Sequence, residues 1–260
     1  MTDWDLRAFA RALGAALVGL LVVWLVTAAS DEGQLTVGAR AGRTLPVAPL
    51  CSAVGAAIAL GTPRMRGEAR ALEGLGRSPS QIAIGAALGG ALPSALLGLA
   101  IATSGAVDVS SFYPRPPRAD VFVREDGAFT SPTLGVRVAD ADPEPLPAAL
   151  TTPHVRDEGL PGGARASASM ATALAGLALA LLASQAVLRV SLVGEAGQRR
   201  RRVVAAVAGL GCALATLVAF QAAAARSAPP ALAIAPSALL LAAMLFGYRS
   251  RDEHASRTSG

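Results

Sequence analysis

Residues 78–107, SPSQIAIGAALGGALPSALLGLAIATSGAV, run for 30 positions between Arg77 and Asp108 without one charged side chain. A helix crossing a bilayer needs about 20 apolar residues. A water-soluble domain does not leave a stretch this long uncharged. The same measurement applied outward finds five more such gaps. They are 12–30 and 44–63 before it, and 166–188, 203–225 and 227–248 after it. Their lengths run from 19 to 23 residues. Six membrane-spanning helices are therefore expected. Pro46 and Pro49 sit in the first turns of the second, where proline is tolerated. Pro93 and Pro236 fall within the third and sixth, where packed neighbours can re-satisfy the freed backbone groups.

The composition agrees. Of 260 residues 53% are hydrophobic and 16% charged, against about 25% charged in a soluble domain. All 23 basic residues are arginine. Without lysine there is no P-loop ATPase of the usual kind and no Schiff-base chemistry. Cys51 and Cys212 both fall inside spans, and the two histidines, His154 and His254, lie far apart in sequence. No catalytic or metal site is expected from them. No carboxylate lies inside a span, which argues against a proton- or sodium-coupled carrier.

Arginine placement sets the orientation. With the N-terminus inside, the inner segments hold Arg7, Arg11, Arg64, Arg66, Arg70, Arg77, Arg189, Arg199 to Arg202, Arg249, Arg251 and Arg257, or 14 of the 23. Both termini are expected in the cytoplasm. The run Arg199 to Arg202 reads as a topology signal that touches anionic lipid, not as a nucleic-acid site. Thr27-Ala28-Ala29 resembles a signal-peptide cleavage site, but Asp3 and Asp5 spoil a basic n-region, so the first span is read as a retained anchor.

The spans form two triplets. Residues 1–104 make the first membrane half, 105–168 an outer insert, 169–248 the second half and 249–260 a cytoplasmic tail. The expected fold is an all-α membrane protein with six transmembrane helices (3+3) and a small β-containing extracytoplasmic insert. Nine of the 17 prolines lie in that insert. Val121 to Val123 and Val136 to Val138 read as strands, with Asp126-Gly127 as a hairpin turn. A small β-unit is favoured over a bare linker. Small-xxx-small pairs such as Cys51/Gly55/Ala59, Gly85/Gly89, Ser94/Gly98 and Ala205/Gly209/Ala213 suit a close-packed bundle.

One segment carries a more specific signal. Thr62-Pro63-Arg64-Met65-Arg66-Gly67-Glu68-Ala69-Arg70-Ala71-Leu72-Glu73-Gly74-Leu75-Gly76-Arg77-Ser78-Pro79 joins the second and third spans on the inner side. Residues 67–77 are expected to include an amphipathic helix, with Ala69, Leu72 and either Leu75 or Gly76 on one face. Glu73 and Arg77 stand at i,i+4 spacing for an ion pair. Gly76 suits the helix end, and Ser78-Pro79 the next start.

Here the chain resembles the LptF/LptG permeases, the membrane subunits of the lipopolysaccharide-exporting ABC transporter. Their segment reads roughly Ser-Glu-Leu-x-Ala-Leu-x-x-x-Gly-x-Ser. Glu68, Ala71, Leu72, Gly76 and Ser78 match it, while Gly67 and Ala69 depart. The resemblance covers residues 5–105 in detail and 168–248 in topology. FtsX/MacB-type permeases carry a similar segment but place the outer domain after the first helix.

The resemblance implies a non-enzymatic permease of the inner membrane. It implies a cytoplasmic ABC ATPase dimer that binds the ATP, a second permease subunit, a periplasmic lipid-bridge protein and a lipid substrate. By resemblance Glu68, Ala71, Leu72, Leu75 and Gly76 couple to the ATPase, and Arg40 and Arg43 contact lipid phosphates. The family's outer domain is a β-jellyroll about twice the size of this insert. A non-transporting scaffold and an FtsX-like signalling permease are the alternative functions.

Overall fold

A computed structural model describes residues 2–30, 37–105, 107–113, 123–125, 128–131, 136–138, 143–145, 160–188 and 195–244. The chain is mostly helical. Its helices are α1 (Asp3–Ser30), α2 (Val37–Thr44), α3 (Ala48–Gly61), α4 (Pro63–Gly74), α5 (Pro79–Thr103), α6 (Ala164–Leu188), α7 (Glu195–Ala224) and α8 (235–244). A 3-10 turn, Leu45–Val47, carries Pro46 and makes the helix nearly continuous from α2 into α3.

Among the described residues five helices are long and apolar enough to cross a membrane: Asp3–Ser30, Arg40–Gly61, Pro79–Thr103, Ala164–Leu188 and Arg202–Ala224. Among the described residues the segment expected as the sixth span is helical over Pro230–Met244, and residues beyond 244 lie outside the described set. Pro236 lies inside this stretch, where the 3-10 turn Pro230–Ile234 passes into α8.

Close approach of backbones builds the bundle. A Cβ at Gly89 would collide with the Phe9 carbonyl oxygen, and one at Gly55 would sit 2.7 Å from the Ala12 oxygen. Glycine is therefore required where α1 crosses α5 and α3. Gly19 faces Cys51 while Ala12 and Ala16 face Gly55, so α1 and α3 run antiparallel. Gly85 meets Asp5 and Gly89 meets Phe9, so α1 and α5 run parallel. α5 and α6 are antiparallel, with Gly98 against Ser169 and Ser94 against Gly176. In the interior Ser52 Oγ and Ser94 Oγ share a 2.6 Å hydrogen bond, which satisfies both hydroxyls away from water.

α3, α5 and α6 form the centre, with α1 and α7 on the flanks. Leu17, Leu21 and Leu25 of α1 and Val207, Leu210, Leu214 and Leu217 of α7 are all exposed. Water would not tolerate so continuous an apolar surface, and a bilayer favours it.

Between α5 and α6 lie four short antiparallel strands in the order β1-β2-β3-β4: Val123–Glu125, Ala128–Ser131, Val136–Val138 and Pro143–Pro145. Val123 pairs with Thr130, Thr130 with Arg137, and Arg137 with Glu144. Residues 121, 122, 126 and 127 of the expected hairpin lie outside the described set.

Two devices hold the helix ends beside this insert. Arg165 Nη1 donates to the Ile101 and Ser104 carbonyls (3.0 and 2.8 Å), and its Nη2 to Val107 O (3.2 Å). It thereby caps the carbonyl end of α5 with a positive charge, the sign that end favours. Phe220 of α7 stacks edge-on against Phe112 and Tyr113, with ring centres 5.4 and 5.2 Å apart. The Tyr113 hydroxyl donates to Ala164 O at 2.8 Å, and burial pushes its pKa up to about 12, so it stays a proton donor.

Candidate functional site

The segment 62–79 folds as a capped helix and a turn at the end of the bundle where α3 passes into α5. Thr62 is its N-cap: the side-chain oxygen accepts from Met65 N–H at 3.3 Å, and Pro63 fills the first helical position. α4 therefore begins earlier than residue 67. Thr62-Pro63 was the sequence signal for this start.

At the other end Gly76 takes φ +88°. Gly76 N–H donates to Glu73 O and Arg77 N–H to Leu72 O, each at 3.0 Å. This pair of bonds is the Schellman motif, and its left-handed position favours glycine. The next helix starts two residues on. Ser78 Oγ accepts from Gln81 N–H (3.4 Å), and Gln81 Oε1 accepts from Ser78 N–H (3.2 Å), a capping box that sets the first turn of α5.

Met65 and Ala69 are buried, with Leu72 packed beside them, against Trp4 and Ala8 of α1, Leu60 of α3 and Ile82 of α5. Spacings of four and three residues put these three side chains on one stripe. The spacing offers either Leu75 or Gly76 as the next member of this face, but the Leu75 side chain is 84% exposed. The helix ends at Gly74, and the reversal at Gly76 turns Leu75 outward; Met65, one turn earlier, completes the stripe. Ala71 and Gly76 are exposed as well.

Neither oxygen of Glu68 projects free. Arg64 Nε meets Oε1 at 3.0 Å, and Arg7 Nη2 of α1 meets Oε2 at 3.2 Å. Arg77 does not pair with Glu73 as its spacing suggested. It reaches Asp5 of α1, with Nη2 lying 2.9 Å from both carboxylate oxygens. Thr2 N–H and Thr2 Oγ1–H also donate to Asp5 Oδ2, each at 2.8 Å. Trp4 Nε1 donates to Ile82 O at 3.3 Å. The first turns of α1 thus hold α4, the turn after it and the start of α5 together. Asp5, Arg7 and Arg77 carry this arrangement. None was legible as a partner from spacing, because the pairs are some 60 to 75 residues apart in sequence.

No protein-family model, no curated protein and no solved structure matches the chain.

Arg40 and Arg43 lie on α2, at the other end of the bundle from α4. The Arg40 guanidinium carbon is 5.7 Å from the centre of the Trp24 ring, a cation–π distance. The Arg43 side chain is exposed. The site residues thus form two groups, one at each end: the five of the α4 segment and the two arginines of α2. Among the described residues no group of three His, Cys, Asp or Glu side chains could hold a metal ion.

Proposed function

We propose that this protein is a permease subunit of an ABC transporter that moves lipopolysaccharide or a related lipid out of the inner membrane. The power comes from a separate cytoplasmic ATPase dimer. The observation that carries the reading is the build of α4. A short helix capped at both ends and fastened to α1 and α5 still presents Ala71, Leu75 and Gly76 to solvent. Such a helix can pass a push from a docked partner into the spans. In this arrangement Leu75 and Ala71 enter a groove of the ATPase, while Glu68, held by Arg7 and Arg64, ties the docked helix to the first span.

The reading includes six spans, with α8 as the start of the last, and both termini in the cytoplasm. The exposed apolar faces of α1 and α7 support a lateral gate for lipid between these helices and a second permease subunit. Arg40 and Arg43 then meet lipid phosphate at the outer surface, and a periplasmic bridge protein takes the lipid onward.

Affinity purification of the tagged protein from native membranes in mild detergent tests the docking. An ABC ATPase should come with the wild type and be lost with Leu75→Asp, which leaves the buried stripe intact. Recovery of no ATPase, under conditions that preserve another transporter complex, overturns the reading in favour of a scaffold. Where the ATPase is recovered, stimulation of its hydrolysis by lipid separates transport from FtsX-like signalling.

A further inference from the structure

The end of the bundle opposite α4 holds an arginine that no part of the transport reading uses. α7 closes with Arg226 N–H donating to Ala223 O and Ser227 N–H to Ala222 O, each at 3.0 Å. That pair of bonds requires a left-handed residue at 226. Arg226 has φ +58°, the one positive value at a non-glycine position among the described residues. The same turn after α4 uses Gly76. A side chain with a Cβ costs about 1 kcal/mol or more in this conformation. Backbone strain of this kind is a pointer to function.

The side chain does not serve the fold in return. At this same end Arg165 spends its guanidinium on the carbonyls of Ile101 and Ser104 at the α5 terminus and of Val107 just beyond it. The carbonyls that close α7 are satisfied by backbone N–H groups and by Ser227 Oγ, which donates to Ala222 O at 2.9 Å. The Arg226 side chain is exposed, and its guanidinium has no hydrogen-bond or ion-pair partner among the described residues. It lines an open cleft of about 520 Å³ together with Leu160, Pro161, Ala223, Ser227 and Pro229.

A planar cationic fork beside a cleft that mixes polar backbone with the side chains of Leu160, Pro161 and Pro229 suits an amphiphile with an acidic head. We propose that this cleft binds the phosphate group of a membrane lipid, with the Arg226 guanidinium taking two phosphate oxygens and the Leu160–Pro161 wall taking the apolar part next to the head. A guanidinium matches phosphate in two-point geometry where an ammonium does not. The carbonyl end of α7 repels an anion slightly, so the guanidinium has to supply the attraction. This site does not depend on ATP-driven transport.

Hydrogen–deuterium exchange over residues 222–229 of the full-length protein in maltoside tests it. Phosphatidylglycerol should slow exchange there, and Arg226→Gln should raise the lipid concentration needed by about tenfold, the weight of one charge-assisted pair. Arg226→Gly keeps and relaxes the turn, so its loss of protection would come from the missing charge and not from misfolding. Arg226→Lys should recover only part. Equal protection by inorganic phosphate at the same concentration would assign the cleft to a soluble phosphate and overturn the lipid. No protection by either, or full protection in the glutamine variant, would overturn the site.

Discussion

The Asp5 carboxylate and the Arg77 guanidinium meet at 2.9 Å on both carboxylate oxygens, across 72 residues of sequence. Asp5 is 6% exposed and Arg77 follows the glycine that ends α4, so the pair fastens the start of α1 to the α4–α5 turn. Removing one partner from a buried pair leaves a desolvated charge, although solvent at Arg77 softens the penalty. Asp5→Ala and Arg77→Ala should each destabilise the protein by about 2 kcal/mol. The double variant should cost much less than the sum, because both substitutions break the same pair. Trp4 beside the pair gives a fluorescence readout for thermal unfolding in detergent. Additive losses would show that the two side chains act separately.

Backbone contact between α1 and α5 makes a second expectation. Gly89→Ala puts a methyl group into the Phe9 carbonyl and should cost about 2–3 kcal/mol through forced separation of the helices. Gly14 has nothing within 4 Å of where its Cβ would stand. Gly14→Ala should therefore be neutral or stabilising by up to about 1 kcal/mol from helix propensity alone. The comparison is read from unfolding midpoints of the two variants. Equal behaviour would mean that the crossing is looser than the geometry indicates.

Much of the membrane architecture was legible because it depends on local composition. Charge-free gaps such as 78–107 place four of the five long helices to within about four residues at each end, while α1 starts at Asp3, well before its gap at residue 12, because charged residues can open a helix ahead of its apolar part. Gly76 and Ser78-Pro79 were legible for a related reason: left-handed turns and helix starts are set by the residue in place. The pairing of charges was not. Spacing offered Glu73 to Arg77, but the helix ends between them, and the arginine lies nearer to Asp5 of another helix. Leu75 and Gly76 fall off the stripe of Ala69 and Leu72 for the same reason, since periodicity says nothing about where a helix stops. Met65 joins the stripe because α4 begins at Pro63, a turn before the expected residue 67.

Arg165 gives a third expectation. Its guanidinium serves carbonyls of three residues, a geometry that a single ammonium cannot copy. Arg165→Gln should cost about 2 kcal/mol by leaving part-buried carbonyls without a donor. Arg165→Lys should restore less than half of that. Exchange of amides over 98–113 should quicken in both variants, while exchange over α4 at the far end stays unchanged. A uniform rise across the chain would point to global unfolding and not to loss of this cap.

The turn after α4 separates anchoring from docking. Gly76→Ala strains a left-handed position by about 1 kcal/mol and loosens the link between α4 and Arg77. It leaves Ala71 and Leu75 on the surface. Leu75→Asp does the reverse, since an 84% exposed side chain contributes little to the fold. If α4 is the docking segment, Leu75→Asp should lose the ATPase with unfolding unchanged. Gly76→Ala should keep the ATPase but transmit less, so that lipid stimulates hydrolysis weakly. Co-purification and ATP turnover in reconstituted membranes measure the two effects on the same preparations. Retention of the ATPase by Leu75→Asp would remove this face from the interface, and equal loss in both variants would mean that anchoring and docking cannot be told apart at this turn.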